Sequence, residues 1–112
     1  MSKFGRLRKG RDFRRVRAVR NVSYFRSMIV YQSPGGEGES RLGVVAGSRL
    51  GGAVVRNRAK RRIRSAWRLE IGASAEPHDM VIVARSPATK VPHAELRSAI
   101  QRAIQRSPDA RK

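Results

Sequence analysis

Seven cationic side chains lie between residues 56 and 68, and no acidic residue interrupts them. The segment reads Arg56-Asn-Arg-Ala-Lys-Arg-Arg-Ile-Arg64 followed by Ser-Ala-Trp-Arg68. Guanidinium groups bond phosphate oxygens in a bidentate manner and also stack on bases, so the segment favours a polyanion such as nucleic acid as partner. A charge run is also typical of a solvated tail or of a surface that binds anionic lipid, but a tail has no need of apolar residues at helical spacing.

The same segment predicts a helix over residues 54–70 with two different faces. At about 100° per residue, one face is apolar and suited to packing on a sheet; it carries Val55, Ala59, Ile63, Ala66 and Trp67. The opposite side is a cationic ridge, which consists of Asn57, Arg58, Arg61, Arg64 and Arg68. Like charges one turn apart destabilise an isolated helix, so we expect an anion to neutralise this ridge.

The composition of the whole chain agrees with a nucleic-acid partner. Its 112 residues carry 26 Lys and Arg against 8 Asp and Glu, a formal net charge of +18. Residues 1–30 form a second basic block, with ten cations and one acid. The length suits one compact domain, so we expect residues 1–112 to form a single domain with flexible ends at 1–8 and 107–112.

The residue types also exclude several kinds of site. Cysteine is absent, which removes disulfides and thiolate ligands, and no apolar run suits a membrane span or a signal peptide. These features predict a cytoplasmic protein without a membrane partner. His78 and His93 have no acidic or thiol neighbour at metal-ligand spacing, which favours surface positions, and the acids are not paired as in a two-metal nuclease. We therefore predict no catalytic side chain and no organic cofactor, and assign no metal ligands.

Three helices and three strands are predicted to position these residues. The helices cover 11–19, 54–70 and a segment that begins at Pro92 and carries an apolar stripe from Leu96 to Ile104. The strands cover 24–32, 41–48 and 79–85. The first two are predicted to pair as a hairpin, and the continuous apolar run of the third predicts burial on both faces. The order α-β-β-α-β-α predicts an α+β fold, a two-layer α/β sandwich with helices on one small sheet.

The basic segment closely resembles the RNR signature of the protein subunit of bacterial ribonuclease P. Three further blocks match that family in order and spacing, so that the resemblance covers residues 7 to about 106. Leu7-Arg-Lys-Gly-Arg-Asp-Phe13 resembles the family's opening, in which a helix starts with an Asp/Gln-Phe pair. Arg41-Leu-Gly-Val-Val and Gly51-Gly-Ala-Val-Val-Arg56 resemble the strand and loop before the signature, and Asp79-Met-Val-Ile-Val-Ala-Arg85 resembles the later buried strand.

The resemblance implies an RNA-binding subunit of a ribonucleoprotein enzyme that endonucleolytically removes the 5′ leader from precursor tRNA. The chemistry would come from the catalytic RNA, with Mg²⁺ held mainly by that RNA and one protein bound per RNA. Residues implied to bind the catalytic RNA are Arg56, Asn57, Arg58, Lys60, Arg61 and Arg64, and the ridge adds Arg68. A structural RNA-binding protein of ribosomal type would fit the composition equally well.

The resemblance also implies a cleft between the first helix and the sheet that holds the single-stranded leader. The residues implied there are Phe13, Arg17, Ile29 and Tyr31. Ile29 and Tyr31 are two apart on one strand and share a face, and aromatic groups beside cations suit a sequence-tolerant groove. Plain core packing is the alternative for Phe13 and Tyr31. Arg17 stands where family members often carry a second aromatic residue, so we expect more ionic leader contacts. A left-handed crossover between parallel strands is a further expectation from the family.

Overall fold

The computed structural model describes residues 3–7, 10–19, 21–35, 39–72 and 77–106. In these ranges the chain forms one five-stranded sheet and three α-helices. The elements are β1 Lys3–Arg6, α1 Gly10–Ala18, β2 Val22–Tyr24, β3 Met28–Pro34, β4 Glu39–Val45, α2 Ala53–Ile71, β5 His78–Ala84 and α3 His93–Gln105. Short 3-10 helices at Ser48–Leu50 and Ser86–Thr89 precede α2 and α3. The expected α+β class, the single small sheet and the helix that carries the basic segment are confirmed.

The strands lie in the order β1-β4-β5-β3-β2, with β5 in the centre. It runs parallel to β4 and antiparallel to β3. The predicted hairpin of residues 24–32 with 41–48 is therefore wrong, because β5 lies between these two segments. Chain neighbours often pair in a sheet, but β5 is apolar from Met80 to Ala84, and this run is buried best between two other strands.

Two edge strands were not expected from the sequence. Residues 3–6 fall in the predicted flexible end, but they form β1, which pairs in parallel with β4. The predicted strand 24–32 is divided into β2 and β3 by a turn, in which the Phe25 N–H donates to the Met28 carbonyl at 2.8 Å. The predicted flexible end at 107–112 lies outside the described residues.

The main core lies between one face of the sheet and the helices α2 and α3. The largest buried side chains there include Trp67 and Ile63 from α2 and Leu96 and Ile100 from α3. The predicted apolar face of α2 is confirmed except at Val55, which is 37% exposed. Val55 lies in the first turn of α2 and contacts the Gly51 connection, whereas Ile71 extends the buried face at the other end.

Helix α1 covers part of the opposite face of the sheet. A small apolar cluster forms there from Leu7, Val16 and Val81, and Phe13 and Tyr31 pack against it. His78 is also buried, with an exposed fraction of 3%, because it begins the central strand; the surface position expected for it is wrong. The sheet thus separates the face that carries α1 from the face that carries α2 and α3.

Candidate nucleic-acid interface

The cationic ridge lies on the side of α2 that faces away from the main core. Asn57, Arg58, Arg61 and Arg68 are exposed, and Arg64 is half-buried. Among the described residues, no carboxylate forms an ion pair with a ridge arginine; the ion-paired acids are Glu70, Asp79 and Glu95. The structure therefore brings together the ridge that the sequence predicts, and it leaves these charges free to bind an external anion.

A fifth guanidinium group, that of Arg6 in β1, lies beside the four of the ridge. A groove of about 490 Å³ is lined by Arg6, Arg61, Arg64, Ser65, Arg68 and Leu69. Burial lowers the pKa of Arg64, and the neighbouring charges of Arg6 and Arg68 lower it further. An arginine stays protonated even so, which means that the groove concentrates positive charge. No pattern in the sequence indicates Arg6, because a four-residue strand with a glycine and two cations shows no apolar alternation.

The other cations of the basic segment have different surroundings. Arg56 and Lys60 are half-buried, and the Arg56 Nε has no hydrogen-bond partner among the described residues. Arg62 points to the other flank of α2, where it donates to the carbonyl oxygens of Ala88, at 2.7 Å, and of Val91. Arg62 therefore ties α2 to the segment before α3.

The four residues predicted for the leader cleft come together on the face that carries α1. Ile29 and Tyr31 share this face, as their spacing predicts, and both are half-buried. Arg17 reaches across from α1, so that its guanidinium carbon lies 4.9 Å from the centre of the Tyr31 ring. A guanidinium over an aromatic face is a favourable cation–π arrangement, and the same two groups can stack on a base.

Phe13 has a packing role as well as a place in this cleft. It packs against the small cluster under α1, and its ring lies on the backbone of β4 at Gly43. A Cβ at Gly43 would come within 2.7 Å of the Phe13 Cε2, a distance that real Cβ atoms do not show. The glycine therefore allows the tip of the ring to approach the strand closely. Core packing thus accounts for part of the Phe13 surface, and the rest borders the cleft.

An ionic cluster beneath α1 fixes the helix to the sheet. The buried Asp79 carboxylate, 1% exposed, accepts from the Arg15 Nη2 at 2.7 Å. It also accepts from the Arg41 Nη2 at 2.8 Å and the Arg41 Nε at 3.2 Å. The hydrogen bond from Arg41 to Asp79 raises the pKa of Arg41. No local pattern in the sequence indicates this cluster, because its three members lie on elements far apart in the chain.

Beyond α1 the same face of the sheet is open. Tyr24 pairs with Ile29 across β2 and β3, and its side chain is 65% exposed. Val83 pairs with Ile29 from the other side, and Val45 pairs with Val83. These residues form an apolar floor that continues from the Arg17–Tyr31 pair away from α1. We call this floor, together with Phe13, Arg17 and Tyr31, the sheet groove.

The chain is similar to known proteins over nearly its whole length. A family model described as Ribonuclease P matches residues 1–107. This chain belongs to the ribonuclease P protein family. It is 38% identical over 108 residues to the ribonuclease P protein component of Roseiflexus castenholzii, covering 96% of this chain and 88% of the relative. The component of Chloroflexus aggregans is 34% identical over 108 residues, with 96% and 80% covered.

Solved structures of ribonuclease P proteins share the fold. The protein from Thermotoga maritima superposes with a TM-score of 0.76 at 27% identity, covering 90% of this chain and 96% of that one. A Staphylococcus aureus structure gives a TM-score of 0.73 at 27% identity, with 89% and 92% covered. The family makes this chain a subunit of the ribonuclease P holoenzyme and a partner of ribonuclease P RNA. Membership of this family excludes the structural RNA-binding protein of ribosomal type, which the composition alone would also fit.

Two further observations bear on what the chain can bind. No helix in the described part of the chain is long and apolar enough to cross a membrane. Within the same residues, no group of three or more His, Asp or Glu side chains could hold a metal ion.

Proposed function

We propose that this protein binds both the catalytic RNA of ribonuclease P and the 5′ leader of precursor tRNA, and so supports endonucleolytic removal of the leader in the cytoplasm. One protein would serve each RNA. The observation that carries this proposal is the Arg17–Tyr31 pair on an open, apolar sheet face, since a cation beside an aromatic ring suits a single strand of any sequence.

The ridge is the proposed contact for the catalytic RNA. Its arginines are free of carboxylate partners among the described residues, and Arg6 extends the same charge from β1. Each phosphate that they neutralise releases condensed counterions, which supplies affinity that depends on salt. The ridge and the sheet groove lie on opposite sides of the sheet. The rigid sheet between them would hold the leader at a set position relative to the catalytic RNA.

The contribution of the protein to the reaction is positioning rather than proton transfer. Of the five acids in the described residues, three are held by arginines: Asp79 in its buried ionic cluster, and Glu70 and Glu95 by one arginine each. None of these three is free to activate water. In this proposal Mg²⁺ is held mainly by the RNA and supplies the hydrolytic chemistry, while the sheet groove orients the strand that is cut.

A binding experiment with the reconstituted holoenzyme tests the groove. Arg17→Gln and Phe13→Ala should weaken binding of precursor tRNA by about tenfold and leave mature tRNA, which lacks a leader, unchanged. Arg11→Gln is the matched control, because it removes the same charge from an exposed position of α1. An equal loss for both substrates would assign Phe13 and Arg17 to packing or to the tRNA body. No gain in cleavage over the RNA alone at low Mg²⁺ would overturn the proposal as a whole.

A further inference from the structure

A separate pocket lies where the β2–β3 turn meets α3. Its volume is about 270 Å³, and it is lined by Phe25, Arg26, Ser27, Glu95, Ser98, Ala99 and Arg102. We call it the end pocket. Drug-sized ligands occupy pockets of about 300–1,000 Å³, so the end pocket suits something smaller, such as one nucleotide. Neither the ridge nor the four predicted cleft residues contribute to it.

The surroundings of the end pocket are strongly cationic. Arg106 lies over the Phe25 ring, with its guanidinium carbon 6.0 Å from the ring centre. Arg85 donates to the Phe25 carbonyl oxygen at 3.3 Å. Glu95 is the one carboxylate at the pocket, and Arg26 already occupies it with hydrogen bonds of 2.7 and 2.8 Å. The charges of Arg85, Arg102 and Arg106 therefore remain available to a ligand.

The end pocket repeats the chemistry of the sheet groove. Both combine an aromatic ring with a guanidinium group, and both leave cations unneutralised within the described residues. A concave site with an aromatic wall suits an unstacked base, whereas a duplex presents mainly its phosphate backbone. The favoured occupant is therefore a nucleotide of a single strand, with its base against Phe25 and its phosphate near Arg102 or Arg106.

The register of the sheet connects the two sites. Val81 pairs with Tyr31 in the groove, and Arg85 follows four residues later, where its N–H donates to the Ser27 carbonyl. At about 3.3 Å per residue the two positions are about 13 Å apart, the length of about four stacked nucleotides. The end pocket lies on the α3 side of the sheet, so a strand that leaves the groove reaches it by passing around this end of the sheet.

We propose that the end pocket binds a nucleotide of the same leader strand, beyond the segment held by Arg17 and Tyr31. This inference rests on the proposed function of the sheet groove, and it adds a second subsite to it. The leader would then be held at two places, with the apolar floor of Ile29 and Val83 between them. The contact requires a leader long enough to span both sites.

Leaders of graded length test the second subsite in the reconstituted holoenzyme. Arg102→Gln should weaken binding of a precursor tRNA with a leader of about eight nucleotides by about fivefold or more. Binding of a precursor tRNA with a leader of about two nucleotides should stay unchanged. Phe25→Leu keeps an apolar side chain in the turn and should show the same length dependence. Arg97→Gln is the matched control, since it removes the same charge from α3 outside the pocket.

The outcomes separate this inference from the function on which it rests. If Arg17→Gln weakens leader binding but Arg102→Gln does not do so at any length, the end pocket is not a leader site. If Arg102→Gln weakens the binding of precursors with short leaders, precursors with long leaders and mature tRNA alike, Arg102 contacts the catalytic RNA or the tRNA body. That result also overturns the inference. If Arg17→Gln itself shows no dependence on a leader, the proposed function of the groove fails.

Discussion

Asp79→Asn is the sharpest single test of how the sheet groove is held in shape. The carboxylate is 1% exposed and joins β5 to α1 through Arg15 and to β4 through Arg41. The substitution keeps the size of the side chain but removes its charge. Two guanidinium groups then lose the anion that they share.

The structure sets the size of the expected loss. Breaking a fully buried ion pair costs about 3–5 kcal/mol, and a hydrogen bond to a charged group contributes about 1.5–3 kcal/mol. The guanidinium side chains of Arg15 and Arg41 remain 46% and 31% exposed, so water can solvate them once the anion is gone. We therefore expect the free energy of unfolding to fall by about 2 kcal/mol, below the range for a fully buried pair.

Urea unfolding at neutral pH and fixed salt measures this loss. With a slope of about 1–3 kcal/mol per molar, the midpoint should fall by about 1 M while the slope stays constant. Glu95→Gln is the matched control, because it removes the same charge from a carboxylate that also accepts two hydrogen bonds from a distant arginine but lies at the surface. Its effect should be clearly smaller.

Two results would refute this reasoning. If Asp79→Asn and Glu95→Gln lowered the free energy of unfolding equally, burial of the Asp79 carboxylate would contribute nothing to stability. If Asp79→Asn lowered the free energy of unfolding by the full expected amount but kept its preference for substrates that carry a leader, the position of α1 would not shape the sheet groove. The expected result is a loss of both properties, because Arg15 belongs to the helix that carries Arg17.

Three other predictions address different parts of the molecule. Gly43→Ala should displace the Phe13 ring and lower both stability and leader preference, measured by unfolding and by binding of precursor against mature tRNA. Arg64→Gln should lower the slope of log affinity for the catalytic RNA against log salt by about 0.7–0.9, the share of one phosphate contact; an unchanged slope would make the ridge a merely solvated face. The hydrogen bond from Arg26 lowers the pKa of Glu95. The stability difference between the wild type and Glu95→Gln should therefore be complete above the ordinary pKa of 4.5 and vanish as the pH falls through the lowered value.

Local periodicity made much of this fold predictable. The 3.6-residue repeat of apolar side chains predicts all three helices, and the four middle residues of the α2 face are buried as expected. The unbroken apolar run of β5 predicts a strand covered on both faces, which its central position explains. The two-residue repeat also places Ile29 and Tyr31 on one face, so the predicted cleft residues do come together.

The rest depends on contacts that no local pattern records. An apolar strand shows that it is buried but not which strands flank it, so the position of β5 between β3 and β4 was missed. The Phe25–Ser27 turn contains neither glycine nor proline, and nothing in its sequence divides β2 from β3. Arg15 is 64 positions from Asp79 in the chain, and Arg41 is 38 positions from it. Only the folded protein brings these three side chains together. The roles of the ridge and cleft residues in binding RNA stay predictions.

The central position of β5 has a consequence for how the protein is made. Of the five strands described, β5 alone joins the β1–β4 pair to the β3–β2 pair, and it is the last to be synthesised. A growing chain therefore carries the whole cationic ridge for about 1–3 seconds, at about 5–20 residues per second, before β5 is complete and the sheet beneath the ridge can close. A product that terminates before residue 78 would leave two separate strand pairs with open edges, which are templates for aggregation. We therefore expect partial translation of this message to give fragments that aggregate and lack the joined sheet.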